Sequence, residues 1–127
     1  LHGLKVLAVD DEADARNLIS SLLRMAGAEV RTAGDIFEAQ QMLNDWPPDL
    51  LVSDIGMPEG SGYDLIQQIR QREGAAERHL PAVALTAYSR PEDRLRALSA
   101  GFQMHVPKPV EPAELIAVLA SLSGRFR

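Results

Sequence analysis

The residues of this chain whose types and spacing fit one chemistry are Asp10-Asp11-Glu12, Asp54, Thr86 and Lys108. Each follows a short apolar run. Residues 4–9 lead into Asp10-Asp11, 50–53 into Asp54, 82–85 into Thr86 and 104–107 into Lys108. Carboxylates are hard oxygen ligands that suit Mg2+, or Mn2+ in its place. Clustered carboxylates disfavour joint ionisation and call for a cation or a proton, which marks such a cluster as a functional candidate. A carboxylate can also attack phosphorus to form an aspartyl phosphate. A hydroxyl can donate to a phosphoryl oxygen, and an ammonium can neutralise phosphoryl charge in the transition state.

Each residue has an ordinary reading as well. One of the first three acids can cap a helix, but a cap needs only one carboxylate and the adjacent acid is surplus. Asp54 alone would be a loop aspartate, and Thr86 a β-branched strand residue. Lysines on surfaces are usually only solvated. Lys108, however, lies between Pro107 and Pro109, which restrict the backbone and aim the side chain. The weight of the functional reading comes from joint occurrence at four strand ends.

The elements that must position these residues are legible as alternating apolar patterns. Short apolar runs predict strands near 4–9, 28–32, 50–53, 82–86 and 103–106. Helical spacing predicts helices near 12–26, 35–45, 62–73, 91–100 and 112–123. In the first helix Leu18, Ile19, Leu22, Leu23 and Ala26 are assigned to one apolar face, and in the last Leu115, Ile116, Val118, Leu119 and Leu122. Asp35 with Glu38 resembles a capping box, and Ser61 with Asp64 a weaker version. Pro91 and Pro112 suit first-turn positions, Gly27 and Gly101 suit left-handed C-caps, and Pro47-Pro48 and Gly74 stop helices two and three. Strand–helix alternation implies right-handed crossovers with helices on both faces of a parallel sheet. The expected fold is α/β, a flavodoxin-like doubly wound (βα)5 sandwich with strand order 2-1-3-4-5, in one domain over 1–127. In such sheets the ligand crevice lies at the carboxyl ends of the strands, where all the candidate residues would converge.

Composition narrows the function classes. The 127 residues are 46% hydrophobic, which argues for a packed core rather than disorder. A net charge of −5 without a basic patch argues against direct nucleic-acid binding. The absence of cysteine excludes disulfides and thiol chemistry and fits a reducing, cytoplasmic compartment. Apolar stretches are too short to span a bilayer and no signal peptide is visible. The start at Leu1 and the stop after the fifth helix lead to the expectation of a processed or excised piece. His2, His79 and His105 lack zinc spacing, and Trp46 is expected to pack at the end of helix two.

The stretches Val6-Leu7-Ala8-Val9-Asp10-Asp11-Glu12, Asp54-Ile55-Gly56-Met57-Pro58, Leu85-Thr86-Ala87 and Pro107-Lys108-Pro109 resemble the receiver domains of two-component response regulators, over nearly the whole chain. The resemblance implies that Asp54 accepts a phosphoryl group from the phosphohistidine of a sensor kinase or histidine phosphotransfer domain. It implies that Asp10 and Asp11 (either one directly, the other through water), Asp54 and the Gly56 carbonyl hold Mg2+, that Lys108 pairs with the carboxylate and then the phosphoryl group, and that Thr86 moves toward the new oxygens. The helix-four, strand-five, helix-five face would then switch and signal to an output domain or downstream protein. His105 occupies the family's switch position. Gly56 and Tyr88 occupy positions that imply a long-lived aspartyl phosphate, and Ile55, Met57 and Pro58 shape the loop beside Asp54. The Lys108–Pro109 bond is expected to be cis, as it often is in the family. The stretch from Ala87-Tyr88 through Phe102 to Val110 is closer in character to receivers of hybrid histidine kinases, with a stand-alone receiver as the alternative. The rivals are weaker. Dehalogenase-type phosphatases resemble Asp-x-Asp, where this chain has Gly56. A flavodoxin needs a Ser/Thr/Gly loop where this chain has acids. A pseudo-receiver that only binds partners usually lacks part of the signature set.

Overall fold

The computed structural model describes residues 1–56, 61–75, 79–87 and 90–124. Met57, Pro58 and Tyr88, which carry sequence expectations, lie outside the described residues. Five strands alternate with five helices: β1 Lys5–Val9, α1 Ala13–Met25, β2 Glu29–Ala33, α2 Ile36–Asp45, β3 Leu50–Asp54, α3 Gly62–Glu73, β4 Ala82–Thr86, α4 Pro91–Ala100, β5 Met104–Pro107 and α5 Pro112–Leu122. The strands form one parallel sheet in the order β2-β1-β3-β4-β5, as expected. Burial along the strands follows their place in the sheet. β3 and β4 are buried at every residue, whereas the edge strand β2 alternates, with Glu29 and Arg31 exposed and Val30 and Ala33 buried.

Two apolar layers sandwich the sheet. On one face Ile19 and Leu23 of α1 and Leu115 and Leu119 of α5 pack on Val6, Leu50, Val83 and Leu85. On the other, Ala39 of α2, Leu65, Ile66 and Ile69 of α3 and Ala97 of α4 pack on Leu7, Val9 and Leu51. The expected apolar face of α1 is therefore narrower than drawn. Ile19 and Leu23 belong to the core, but Leu18 is 60% exposed. The helix meets the sheet along a stripe, and a residue one position off that stripe points away from it.

Helix ends explain the short connections. Asp35 accepts the Glu38 N–H at 2.8 Å, while the reciprocal box forms at the motif that read as weaker. There the Asp64 N–H donates to Ser61 Oγ at 3.4 Å and the Ser61 N–H to Asp64 Oδ2 at 3.0 Å. Pro91 and Pro112 open α4 and α5. Gly101 ends α4 at φ 127°, a conformation that favours glycine. The acids before α1 do not cap it in the ordinary way. Glu12 is the N-cap but its side chain makes no capping bond, and the Glu12 N–H instead donates to Asp10 Oδ1 at 3.0 Å.

Because Leu51 is fully buried and Leu18 is not, the two should respond oppositely to truncation. Leu51→Ala is expected to lower unfolding free energy by about 2–5 kcal/mol, and Leu18→Ala by less than about 0.5 kcal/mol. Urea denaturation of the two variants beside the parent measures both, and a comparable loss in each would contradict the assigned core.

Candidate functional site

Strand register brings the candidate residues to one edge. Val9 pairs with Ser53 and Asp54 with Leu85, so Asp10 and Asp54 emerge on adjacent strands at nearly the same level. Thr86 pairs with Pro107, which delivers Lys108 beside them. Ladder-type bonds continue past the strand ends and hold these residues in place. The Asp10 N–H donates to the Ala33 carbonyl at 3.1 Å, Ile55 N–H to Leu85 at 3.1 Å and Lys108 N–H to Thr86 at 2.7 Å.

One carboxylate oxygen from each of Asp10, Asp11 and Asp54 lies within 4.8 Å of the others. Asp10 and Asp54 are buried and Asp11 is exposed, so the group opens to solvent on one side. Oxygens around an octahedral Mg2+ stand about 2.9 Å apart when adjacent and about 4.2 Å when opposite, so the three would draw together around a bound ion. The donor set is all-oxygen and anionic, as a hard divalent ion requires.

Lys108 Nζ lies 3.2 Å from both Asp10 Oδ2 and Asp54 Oδ1. With all three acids ionised, one ammonium leaves a charge of −2, that of a divalent cation reversed. Burial pushes the Asp54 carboxyl above its ordinary value and the Asp10 charge adds to the rise. The Lys108 charge and hydrogen bond and the Gly56 N–H pull it back without cancelling it. Burial alone would lower the Lys108 ammonium. The Asp54 charge, the hydrogen bond to Asp10 and the Asp10 charge outweigh it, so Lys108 stands above its ordinary value.

The remaining sequence candidates fall around this centre. Thr86 is buried at the end of β4. His105 on β5 pairs with Ala84, two residues before Thr86, and is half-buried on the same side of the sheet. Gly56 directs its N–H to the Asp54 carboxylate. The Lys108–Pro109 bond is cis. His2 and His79 are exposed, and neither belongs to the acidic group. Trp46 packs where expected, after α2, with Arg31 Cζ 5.0 Å and Lys5 Nζ 5.7 Å from its ring centroid.

Three residues of the site escaped sequence reasoning. Ser53 Oγ donates to the Asp54 carbonyl at 3.0 Å inside the sheet. Arg16 Nη1 donates to the Asp10 carbonyl at 2.7 Å. Gly62, the first residue of α3, donates its N–H to the Ile55 carbonyl at 3.0 Å, and a Cβ there would collide with the Asp54 carbonyl oxygen. The signal for Gly62 was available: glycine weakens a helix, so one just after a Ser N-cap points to close approach by another backbone.

Comparison with known proteins agrees with this fold. A family model described as the response regulator receiver domain matches residues 6–120. An uncharacterised 14.6 kDa protein of Leptolyngbya boryana is 44% identical over 94% of this chain and 89% of its own length. The phosphate regulon transcriptional regulatory protein PhoB of Klebsiella pneumoniae is 35% identical over 96% of this chain, which spans about half (52%) of that protein. Among solved structures, the Vibrio cholerae chemotaxis protein CheY4 superposes with a TM-score of 0.85 at 31% identity, covering 94% of this chain and 98% of that one. A response regulator from Chloroflexus aurantiacus gives 0.87 at 32% identity, covering 96% and 98%.

The raised Asp54 carboxyl has a consequence for stability. Below the ordinary carboxylate range both folded and unfolded chains are protonated there and no penalty exists. As pH rises through that range the unfolded chain ionises first, and the penalty is complete above the raised folded value. Asp54→Asn is therefore expected to melt at a higher temperature than the parent at pH 7, with the difference shrinking as pH falls through the carboxylate range. Thermal unfolding followed by circular dichroism at several pH values checks this, and an equal or lower melting temperature at pH 7 would contradict it.

Proposed function

Because the chain belongs to the response regulator receiver domain family of two-component systems, we propose that it takes a phosphoryl group onto Asp54 from the phosphohistidine of a sensor kinase or histidine phosphotransfer domain. The observation that carries this reading is the placement of the Lys108 ammonium 3.2 Å from both Asp10 and Asp54 within a cluster of three carboxylates. An Asp54 oxygen forms the new bond to phosphorus as the bond from phosphorus to the donor imidazole nitrogen breaks, the electron pair staying on that nitrogen. Asp10, Asp11, Asp54 and the Gly56 carbonyl are the residues that would hold Mg2+ (or Mn2+), which when bound supplies charge stabilisation to the phosphoryl oxygens. Lys108, already between two carboxylates, turns part of its charge to the phosphoryl group, and the Thr86 hydroxyl donates to it.

The modification converts a single carboxylate charge into a phosphoryl charge of roughly −1.5 to −2. That change must bias a bistable element. The α4–β5–α5 face is the element we assign, with Thr86 and His105 as its switch residues, both on the side of the sheet that α4 covers. The reading makes the chain a self-modifying switch rather than an enzyme for external substrates. It places the switch in the cytoplasm and leaves output to an attached domain or downstream protein. A hybrid histidine kinase is the parent that the character of residues 87–110 favours over a stand-alone receiver.

Intact mass spectrometry after incubation with Mg2+ and acetyl phosphate tests the reaction. One phosphoryl adduct is expected on the parent, with none on Asp54→Asn and none when EDTA removes the metal. No adduct on the parent, or one that survives Asp54→Asn, would sink the assignment and leave a partner-binding module. Gly56 offers no side chain to orient water beside Asp54, and Tyr88 follows Thr86 by two. The adduct is therefore expected to decay over minutes or longer under native conditions, and decay within seconds would refute that part.

A further inference from the structure

We propose that Arg16 is a positioning residue for the metal site, acting through the peptide that joins Asp10 to Asp11. The inference rests on reading those two acids as metal ligands. The carbonyl that accepts Arg16 Nη1 at 2.7 Å belongs to this peptide, so the guanidinium fixes the plane from which both side chains depart. The rest of Asp10 is already held. Its N–H is tied to the Ala33 carbonyl, Oδ1 accepts the Glu12 N–H and Oδ2 faces Lys108. Arg16 closes the last open main-chain contact, on the one peptide plane that decides where the exposed Asp11 carboxylate lies relative to Asp10.

Gly34, in the β2–α2 connection, makes the seat. A Cβ at that position would stand 3.0 Å from Arg16 Nη1 and 3.5 Å from Cζ, so the guanidinium lies against backbone in space that a larger residue would occupy. Its rigid fork of donors suits a fixed role of this kind. The two cations near the acids thus do different work. Lys108 contacts carboxylate oxygens directly and would compete with a bound metal for their charge. Arg16 bonds only a main-chain oxygen of the acidic pair in the described contacts, leaving the carboxylates to the metal while setting positive charge behind them.

Mg2+ titration calorimetry on the parent, Arg16→Ala, Arg16→Lys and Gly34→Val, each with its melting temperature, tests the inference. Groups supporting metal ligands typically change affinity by about 10–100-fold, and acting one bond further out Arg16 is expected to give about tenfold weaker Mg2+ binding when replaced by Ala. Gly34→Val, which keeps the charge but fills its seat, should weaken binding in the same direction, and Arg16→Lys should recover part of the loss. Acetyl phosphate labelling of Arg16→Ala should return to the parental rate once Mg2+ is saturating. Parental Mg2+ affinity in Arg16→Ala, or a slow rate at saturating Mg2+ with affinity unchanged, would overturn the proposal. Should Arg16→Ala fail to fold, Gly34→Val and Arg16→Lys decide it in its place: parental affinity in both overturns it, and weakened binding in Gly34→Val supports it. A parent that binds no Mg2+ would instead overturn the metal reading itself.

Discussion

Three carboxylate oxygens within 4.8 Å of one another are a repulsive arrangement, and the rest of the structure exists in relation to holding it. No local segment could do so. Asp10 and Asp54 sit 44 positions apart in the chain, and Lys108 comes from a further strand 98 positions from Asp10. What brings them level is the parallel register, and what fixes the register is burial of the strands on both faces. A slip of one residue would move Leu7 and Leu51 from one apolar layer to the other and disrupt both cores. The cost of crowding the acids is therefore borne by packing distributed over the two layers, with Lys108 supplying the only direct opposite charge among the described ion pairs of the site.

The same reasoning separates what the sequence disclosed from what it concealed. Apolar runs and caps are local patterns, so the ten elements were legible to within a residue or two, and their alternation fitted the strand order without dictating it. The acids, Thr86 and Lys108 were legible because each ends a run, and ends of parallel strands share an edge. Arg16 and Ser53 were not, because their importance lies in main-chain contacts, and Gly62 was legible only as a glycine opening a helix. Arg16 touches a carbonyl six residues earlier, Ser53 the carbonyl of its neighbour, and Gly62 the backbone leaving β3. A hydrogen bond to a carbonyl makes no demand on the identity of the residue that carries it, so no pattern of side-chain types announces it. Leu18 failed for a related reason: helical spacing marks a broad apolar face, and only the sheet decides how much of it is covered.

Under the proposed function, main-chain contacts would link a charge change at Asp54 to the edge of the sheet. The Lys108 side chain bridges Asp10 and Asp54, while its own N–H is bonded to the Thr86 carbonyl at 2.7 Å. Lys108 is thereby tied to the end of β4, and through Pro107 to β5. A phosphoryl group on Asp54 would alter the pull on the ammonium and offer the Thr86 hydroxyl a new acceptor, so the same two residues would be drawn from both main chain and side chain. β5 is the sheet edge with a half-buried His105 and an exposed Met104. Among the described residues it pairs with β4 alone, whereas β1 and β3 are paired on both sides. Under the proposed function, the contrast between Asp10, pinned by Ala33, Glu12 and Arg16, and the edge strand β5 would let one covalent change keep its binding geometry while moving a surface on the β5 side.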